Sequence, residues 1–121
     1  CGRDEHRLLE TISLLKNPTK HTIIKADLTN AEELNQLVKD CPKLDGIVHC
    51  AGIVKPVPVK FIQQKHIDEM FSINYNAVIL INSQLLQQKK INDNASIVLI
   101  STNLYVKKPF DKEYSNLSAE S

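Results

Sequence analysis

The feature that most constrains this chain is the regular alternation of amphipathic helical segments with short apolar runs. Three of these runs, residues 21–26, 45–50 and 95–101, are short, apolar and rich in β-branched residues, which predicts strands. The last one is apolar almost without interruption, as is typical of a strand buried on both faces of a parallel sheet. The spacing between the runs leaves room for helical crossovers.

The two predicted helices before residue 45 carry recognisable start signals. Residues 4–16 have leucine and isoleucine at helical spacing, with Asp4 as the expected N-cap. The next helix begins near Thr29 or Asn30, because a glutamate follows each of them three residues later and either pair can form a capping box.

A third helical stretch, residues 64–91, is longer than the others and would span about 40 Å at the usual helical rise. Its centre, residues 77–81, is apolar almost all round, so we expect it to be covered on two sides. Residues 92–94 are interpreted as the turn that follows. One face of the stretch is lined by Met70, Ile73, Ala77, Ile81 and Leu85.

Helix and strand alternate at spacings suited to right-handed crossovers, which predicts an α/β fold with an open, doubly wound parallel sheet and helices on both faces. In such sheets, ligands bind at the carboxyl ends of the strands. The candidate site residues are therefore the ones that follow the strands: Arg3, Asp27, Cys50, Ala51, Gly52, Ser101 and Thr102.

Composition excludes several other classes of protein. The 121 residues carry 15 Lys and Arg against 14 Asp and Glu, and this near-balance is unlike the basic excess of a nucleic-acid binder. No apolar run reaches the length of a membrane span. The three cysteines have no metal-ligand spacing, so we expect no metal site and reduced thiols in a cytoplasmic protein.

Five short motifs, taken in order, resemble the short-chain dehydrogenase/reductase family. The resemblance covers nearly the whole chain and is closest in general appearance to 3-oxoacyl thioester (acyl-carrier-protein) reductases. It implies that residues 1–121 form a single partial NAD(P)-binding Rossmann-like domain, lacking the first βα unit and the C-terminal strands. The motifs are Gly2-Arg3, Asp27-Leu28-Thr29, residues 49–52 (HCAG), residues 73–77 (INYNA) and residues 96–102 (SIVLIST).

The resemblance implies cofactor roles for the residues at the first strand ends. A guanidinium at Arg3 can pair with a 2′-phosphate, which favours NADP rather than NAD; otherwise Arg3 is an ordinary exposed residue near a helix start. Asp27 would accept a hydrogen bond from the adenine amino group, with Leu28 beside the ring. An Asp here can equally cap the following helix, and both roles can hold together.

The segment Cys50-Ala51-Gly52 matches the end of the family's N-N-A-G motif, where small residues let the backbone approach the cofactor ribose. His49 and Cys50 stand where the family usually has two asparagines. We interpret His49 as a strand residue with satisfied polar atoms, and Cys50 as a small buried residue rather than a nucleophile. Asn82 is expected to face solvent or cap a helix.

The resemblance also implies catalytic roles. Asn74 would lie at a local helix distortion and hold a water in a proton relay, while Thr102, or Ser101 in its place, would position the carbonyl. Tyr114 would be the proton donor. The family's lysine, four residues after the tyrosine, is replaced by Ser118.

Two functions remain open from the sequence. One is NADP-dependent carbonyl reduction or alcohol oxidation of a small molecule by hydride transfer, in a cytoplasmic homo-oligomer associated through the stretch 64–91. The other is a truncated or degenerate domain that does no chemistry and acts in protein interaction. The missing lysine and the missing Gly-rich phosphate loop support the second, and the chain's start at Cys1 favours a fragment of a longer protein.

Overall fold

A computed structural model describes residues 1–101 of the chain. Within this range, two helices precede the first strand, a helical stretch in three parts joins it to the second strand, and 3-10 turns lie at Pro18–Lys20 and Val59–Phe61. The elements in order are helix α1 (Glu5–Leu14), helix α2 (Ala31–Asp40), strand β1 (Leu44–His49), helix α3 (Gln64–Phe71), a π-helical segment (Ser72–Asn76), helix α4 (Ala77–Gln87) and strand β2 (Ile91–Leu99).

The sheet within these residues is a parallel pair of strands, β1 and β2. Pairing is regular from Gly46 opposite Ser96 to His49 opposite Leu99, and Leu44 pairs with Ile91. The register shifts between these pairs, and Asn94 there has a φ of 65°. The predicted turn at 92–94 therefore lies inside the bounds of β2, as an irregularity of the strand. The parallel pairing and the flanking helices confirm the predicted class of fold.

The predicted strand at 21–26 is reduced to a single parallel bridge between Gly2 and Lys25. The Gly2 N–H donates to Ile24 O over 3.3 Å, and Ala26 N–H donates to Gly2 O over 2.9 Å. Between Cys1 and the Asp4 cap of α1, the described residues offer this run one pairing position, at Gly2.

The helix starts follow the capping signals closely. Asp4 is the N-cap of α1, and its side chain accepts from Arg7 N–H, as expected. Of the two alternatives for α2, the structure selects Asn30, whose side chain accepts from the N–H groups of Glu32 and Glu33. The Glu33 carboxylate accepts from Asp27 N–H rather than from Asn30 N–H, so the expected capping box does not form.

The long helical stretch is not one regular helix, and it ends at Gln87 rather than Ile91. The π-helical segment separates α3 from α4, with Ala77 N–H donating to Ser72 O. At the end, Lys89 has a φ of 54°, Lys90 N–H donates to Leu85 O and Lys89 N–H to Leu86 O. This is a Schellman termination, which usually has glycine at the left-handed position. Because the sequence has lysine rather than glycine at this position, the residue type does not indicate that the helix ends at Gln87.

The core lies where α2 and α4 pack over one face of the sheet. Its buried side chains are Leu34, Val38, Ile81 and Leu85, and Leu44, Ile47 and Ile91 of the strands pack against them. The predicted buried face of the long stretch is thereby confirmed from Ala77 to Leu85. Among residues 1–101, no helix is both long and apolar enough to cross a membrane.

Candidate functional site

A cavity of about 230 Å³ opens at the carboxyl ends of β1 and of the Gly2–Lys25 bridge. It brings together five of the six residues that the sequence assigned to cofactor binding, from three separate parts of the chain. These five are Arg3, Asp27, Leu28, Ala51 and Gly52, and the rest of the wall is formed by Cys1, Gly2, Ala26, Ile53 and Ile73.

The Asp27 carboxylate is fixed by the turn that follows it. Its Oδ1 accepts from Thr29 N–H over 2.9 Å and from the Thr29 hydroxyl over 2.6 Å. These two bonds lower the pKa of Asp27, with a smaller contribution from the charge of Arg3. No hydrogen bond from residues 1–101 reaches Oδ2, so this oxygen can accept from a ligand amine. Asp27 does not cap α2 directly; that position is taken by Asn30.

Arg3 lies at the mouth of the cavity, between the Gly2 bridge and the cap of α1. Its side chain is exposed and makes no ion pair within the part of the chain that the structure describes. It also borders a shallow groove along the first turns of α1, which Arg7 and Thr11 line as well. A cation so placed can receive a phosphate from solvent or from a ligand in the cavity.

The Ala51-Gly52 wall is held by Asn74, which the π-helical segment carries. Asn74 Oδ1 accepts from Ile53 N–H over 2.8 Å, and its Nδ2 donates to Ile53 O over 2.9 Å. A Cβ on Gly52 would lie 3.3 Å from Asn74 Oδ1, so this close approach favours glycine. The helix distortion expected at Asn74 is therefore present, and the side chain serves there as a backbone clamp.

Cys50 does not line this cavity. It is exposed, contrary to the expectation of a buried residue, and borders a second cavity of about 490 Å³ between β1 and the residues that precede Lys25. That cavity leaves one side of the strand end uncovered within the described residues, which explains the exposure. Further along the chain, Lys55 forms an ion pair with Glu69 of α3, with 2.5 Å between Nζ and Oε2.

His49 and Asn82 bind each other, with 2.9 Å between His49 Nε2 and Asn82 Oδ1. His49 is thus satisfied, as expected. The prediction for Asn82 was wrong: it is half-buried and faces the strand. The reason is that α4 packs against the end of β1, so that the Asn82 side chain lies beside the His49 ring and accepts a hydrogen bond from it.

Of the four predicted catalytic residues, the structure describes Asn74 and Ser101. Ser101 is exposed, two residues past the end of β2. Thr102 and Tyr114 lie outside the described residues.

Sequence reasoning also missed the apolar walls of the cavity, Ile53 and Ile73. Ile73 was assigned to the buried stripe of the long helix, and the stripe itself gives no sign that one member faces a cavity. Ile53 follows the Ala-Gly pair directly, and its role depends on the Asn74 clamp, a contact between residues 21 positions apart.

The geometry agrees with the comparison to known proteins. A family model described as short chain dehydrogenase matches residues 1–115. The chain therefore belongs to the short-chain dehydrogenase family.

Among curated relatives, the chain is similar to the 3-oxoacyl-[acyl-carrier-protein] reductase FabG of Rickettsia felis, at 29% identity over 101 residues. The match covers 84% of this chain and 41% of that protein. The corresponding protein of Rickettsia bellii is 30% identical over 101 residues, with the same coverage of 84% and 41%. The chain thus spans less than half the length of these relatives.

Among solved structures, a short-chain dehydrogenase/reductase from Brucella melitensis superimposes with a TM-score of 0.74 at 21% identity. The match covers 98% of this chain and 51% of that one. At this identity the likeness establishes the fold: a partial α/β domain with a parallel sheet, as the order of elements predicted.

Proposed function

We propose that the chain carries the nucleotide-binding part of an oxidoreductase that uses NADP for carbonyl reduction or alcohol oxidation. The observation that carries this proposal is the cavity that joins Arg3, Asp27 and the Ala51-Gly52 segment. Residues 1–121 would form one partial nucleotide-binding domain of that enzyme. The family match favours this function over that of an inactive interaction domain.

The lining of the cavity fits the adenosine half of a dinucleotide. Asp27 Oδ2 would accept from the adenine amino group, because Oδ1 is already engaged by Thr29. Leu28, Ile53 and Ile73 supply apolar walls for a planar ring. The backbone at Ala51-Gly52 would approach the ribose, since no side chain beyond a methyl group stands in the way.

Arg3 would distinguish NADP from NAD. The guanidinium stands at the cavity mouth and can bind a ribose 2′-phosphate through two parallel N–H donors. A ribose hydroxyl in the same place would gain far less from it, because a phosphate supplies charge as well as acceptors.

When bound, the nicotinamide supplies the hydride for the substrate carbonyl. Thr102, with Ser101 as the alternative, would hold the carbonyl oxygen, and Tyr114 would give it a proton. Asn74 would contribute to the proton relay through its main chain, because both polar atoms of its side chain bind Ile53. With Ser118 in the lysine position, any cation that assists Tyr114 would have to come from another part of the sequence.

The substrate would be a small carbonyl or hydroxyl compound, and a 3-oxoacyl thioester is the first to test, because two 3-oxoacyl reductases are among the relatives. We place the enzyme in the cytoplasm, as a homo-oligomer. Its contact would be the outer face of α3, the π-helical segment and α4, where Phe71, Tyr75 and Ile79 are exposed. These residues fall within the stretch assigned to association from the sequence.

The test is nucleotide binding by the protein produced from its own gene. Arg3→Ala should weaken NADPH about 10- to 100-fold and change NADH less than about twofold, the size expected for a lost charge-assisted phosphate contact. The matched control is Arg7→Ala, which removes an arginine in the first turn of α1 that lies outside the cavity.

Equal losses for NADPH and NADH would contradict the phosphate role of Arg3. No saturable binding of either nucleotide at millimolar concentration would contradict the proposed function as a whole.

A further inference from the structure

The segment that leaves β1, residues 49–53, is fastened to the long helical stretch at both of its ends. At the far end, Asn74 binds both backbone polar groups of Ile53. At the near end, the His49 ring lies 2.9 Å from Asn82 Oδ1. Between these two anchors lies the Ala51-Gly52 wall of the candidate cofactor cavity. The position of that wall therefore depends on two asparagines of the same helical stretch.

The π-helical segment helps both asparagines to face the strand end. Asn74 and Asn82 are eight residues apart. In a regular α-helix, eight residues would leave the two side chains about 80° apart around the axis. Asn74 lies inside the π-helical segment, where the chain turns by less per residue, so the angle is smaller. The segment thus brings both asparagines toward residues 49–53.

We propose that His49 and Asn82 form a positioning pair that fixes the Ala51-Gly52 wall of the nucleotide cavity against α4. The proposal rests on the proposed nucleotide-binding function. Asn82 Oδ1 only accepts, so His49 donates from Nε2. The contact is partly buried, where an unpaired donor or acceptor costs more than it does in water. Loss of either partner removes the side-chain link to α4, so that the near end is held by the backbone pairing of His49 with Leu99.

Four variants separate a positioning role from a merely structural one. His49→Phe keeps the ring and removes the donor, whereas His49→Gln keeps an N–H at a similar reach. Asn82→Leu removes the acceptor from the other side of the contact. Asn76→Leu is the control, because Asn76 is an exposed asparagine of the same helical stretch with no side-chain hydrogen bond within residues 1–101.

The protein produced from its own gene is titrated with NADPH and with 2′,5′-ADP. We expect His49→Phe and Asn82→Leu to weaken both ligands about 10-fold each, a size typical of a lost hydrogen bond in a partly buried position. The double variant should be no weaker than either single one, because both remove the same contact. His49→Gln and Asn76→Leu should stay within about twofold of wild type. Thermal unfolding checks that each variant is folded.

A second readout needs no nucleotide. The amide resonances of Ala51 and Gly52 should shift in Asn82→Leu and stay in place in Asn76→Leu. Unmoved resonances would overturn the positioning pair, as would wild-type affinity or additive losses in the double variant. If wild-type protein binds neither ligand while the resonances do shift, the proposed function fails and the positioning pair stands.

Discussion

At the scale of single residues, Asp27 shows how a strand end can be prepared for a ligand by its own neighbours. One carboxylate oxygen is engaged by the N–H and hydroxyl of Thr29, and the backbone N–H of Asp27 is held by Glu33. The side chain therefore has a fixed direction before any ligand arrives. A preorganised acceptor of this kind binds without the entropy cost of being ordered.

The same contacts define the acid behaviour of Asp27. Because its pKa is lower in the folded protein than in the unfolded chain, the carboxylate contributes stability above its unfolded pKa. That contribution is lost as the pH falls through the folded pKa. Thr29→Val removes the hydroxyl bond, the largest cause of the shift, and keeps the backbone N–H. We expect the pKa of Asp27 to rise toward its ordinary value, as measured by carboxyl NMR titration.

Arg3→Ala is the comparison for this titration. The charge of Arg3 is the smallest of the causes that act on Asp27, so the pKa should move less than in Thr29→Val. A larger shift in Arg3→Ala would show that the arginine, and not the turn, controls the carboxylate. The free energy of unfolding of Thr29→Val should also depend less on pH in the acid range than that of wild type.

At the scale of elements, the sequence was most informative where a local rule decides the structure. The caps at Asp4 and Asn30 follow from side chains that satisfy helix N–H groups within three residues. The parallel sheet follows from apolar runs at crossover spacing. The π-helical segment at Asn74 was expected only through family resemblance, because the clamp on Ile53 joins distant parts of the chain. For the same reason the His49–Asn82 contact could not be predicted.

The end of α4 gives a prediction at this scale. Lys89 is exposed and occupies the left-handed position of a Schellman termination, which costs a non-glycine residue about 1–2 kcal/mol. Glycine there removes the strain but makes the unfolded chain more flexible, which offsets about 0.4–1 kcal/mol. We expect Lys89→Gly to raise the free energy of unfolding by about 0.5–1 kcal/mol in urea denaturation.

Gln88→Gly is the matched control for this substitution. Gln88 is also exposed and lies next to Lys89, but its φ is −87°, a conformation that any residue adopts. Glycine at that position brings only the flexibility of the unfolded chain and should be destabilising. If both variants lost stability, the strain assigned to Lys89 would be absent.

At the scale of the whole molecule, the described residues leave much apolar surface in contact with water. On α3, the π-helical segment and α4, the exposed fractions of Ile67, Phe71, Tyr75 and Ile79 are 37%, 55%, 57% and 49%. They follow one another at intervals of four residues, so they form a stripe along one side of the helical stretch. Phe71 and Tyr75 stack edge to face within it, at a centroid distance of 6.0 Å. Such a stripe is typical of an association surface rather than of a solvated helix.

This stripe predicts the oligomeric behaviour of the protein. If a second copy covers it, Phe71→Lys combined with Ile79→Lys places two charges in the contact, and sedimentation velocity should show a shift toward monomer. Leu14→Lys is the control, because Leu14 is 83% exposed on α1, away from the stripe, and should leave the association unchanged. An equal shift in both variants would point to nonspecific association through exposed apolar residues, and no shift in either would remove the stripe from the interface.

Because Asn74 and Asn82 belong to the same helical stretch, a contact that orders the stripe would also stabilise the wall of the cavity. NADPH affinity should then fall together with the oligomer in the double-lysine variant and remain unchanged in Leu14→Lys.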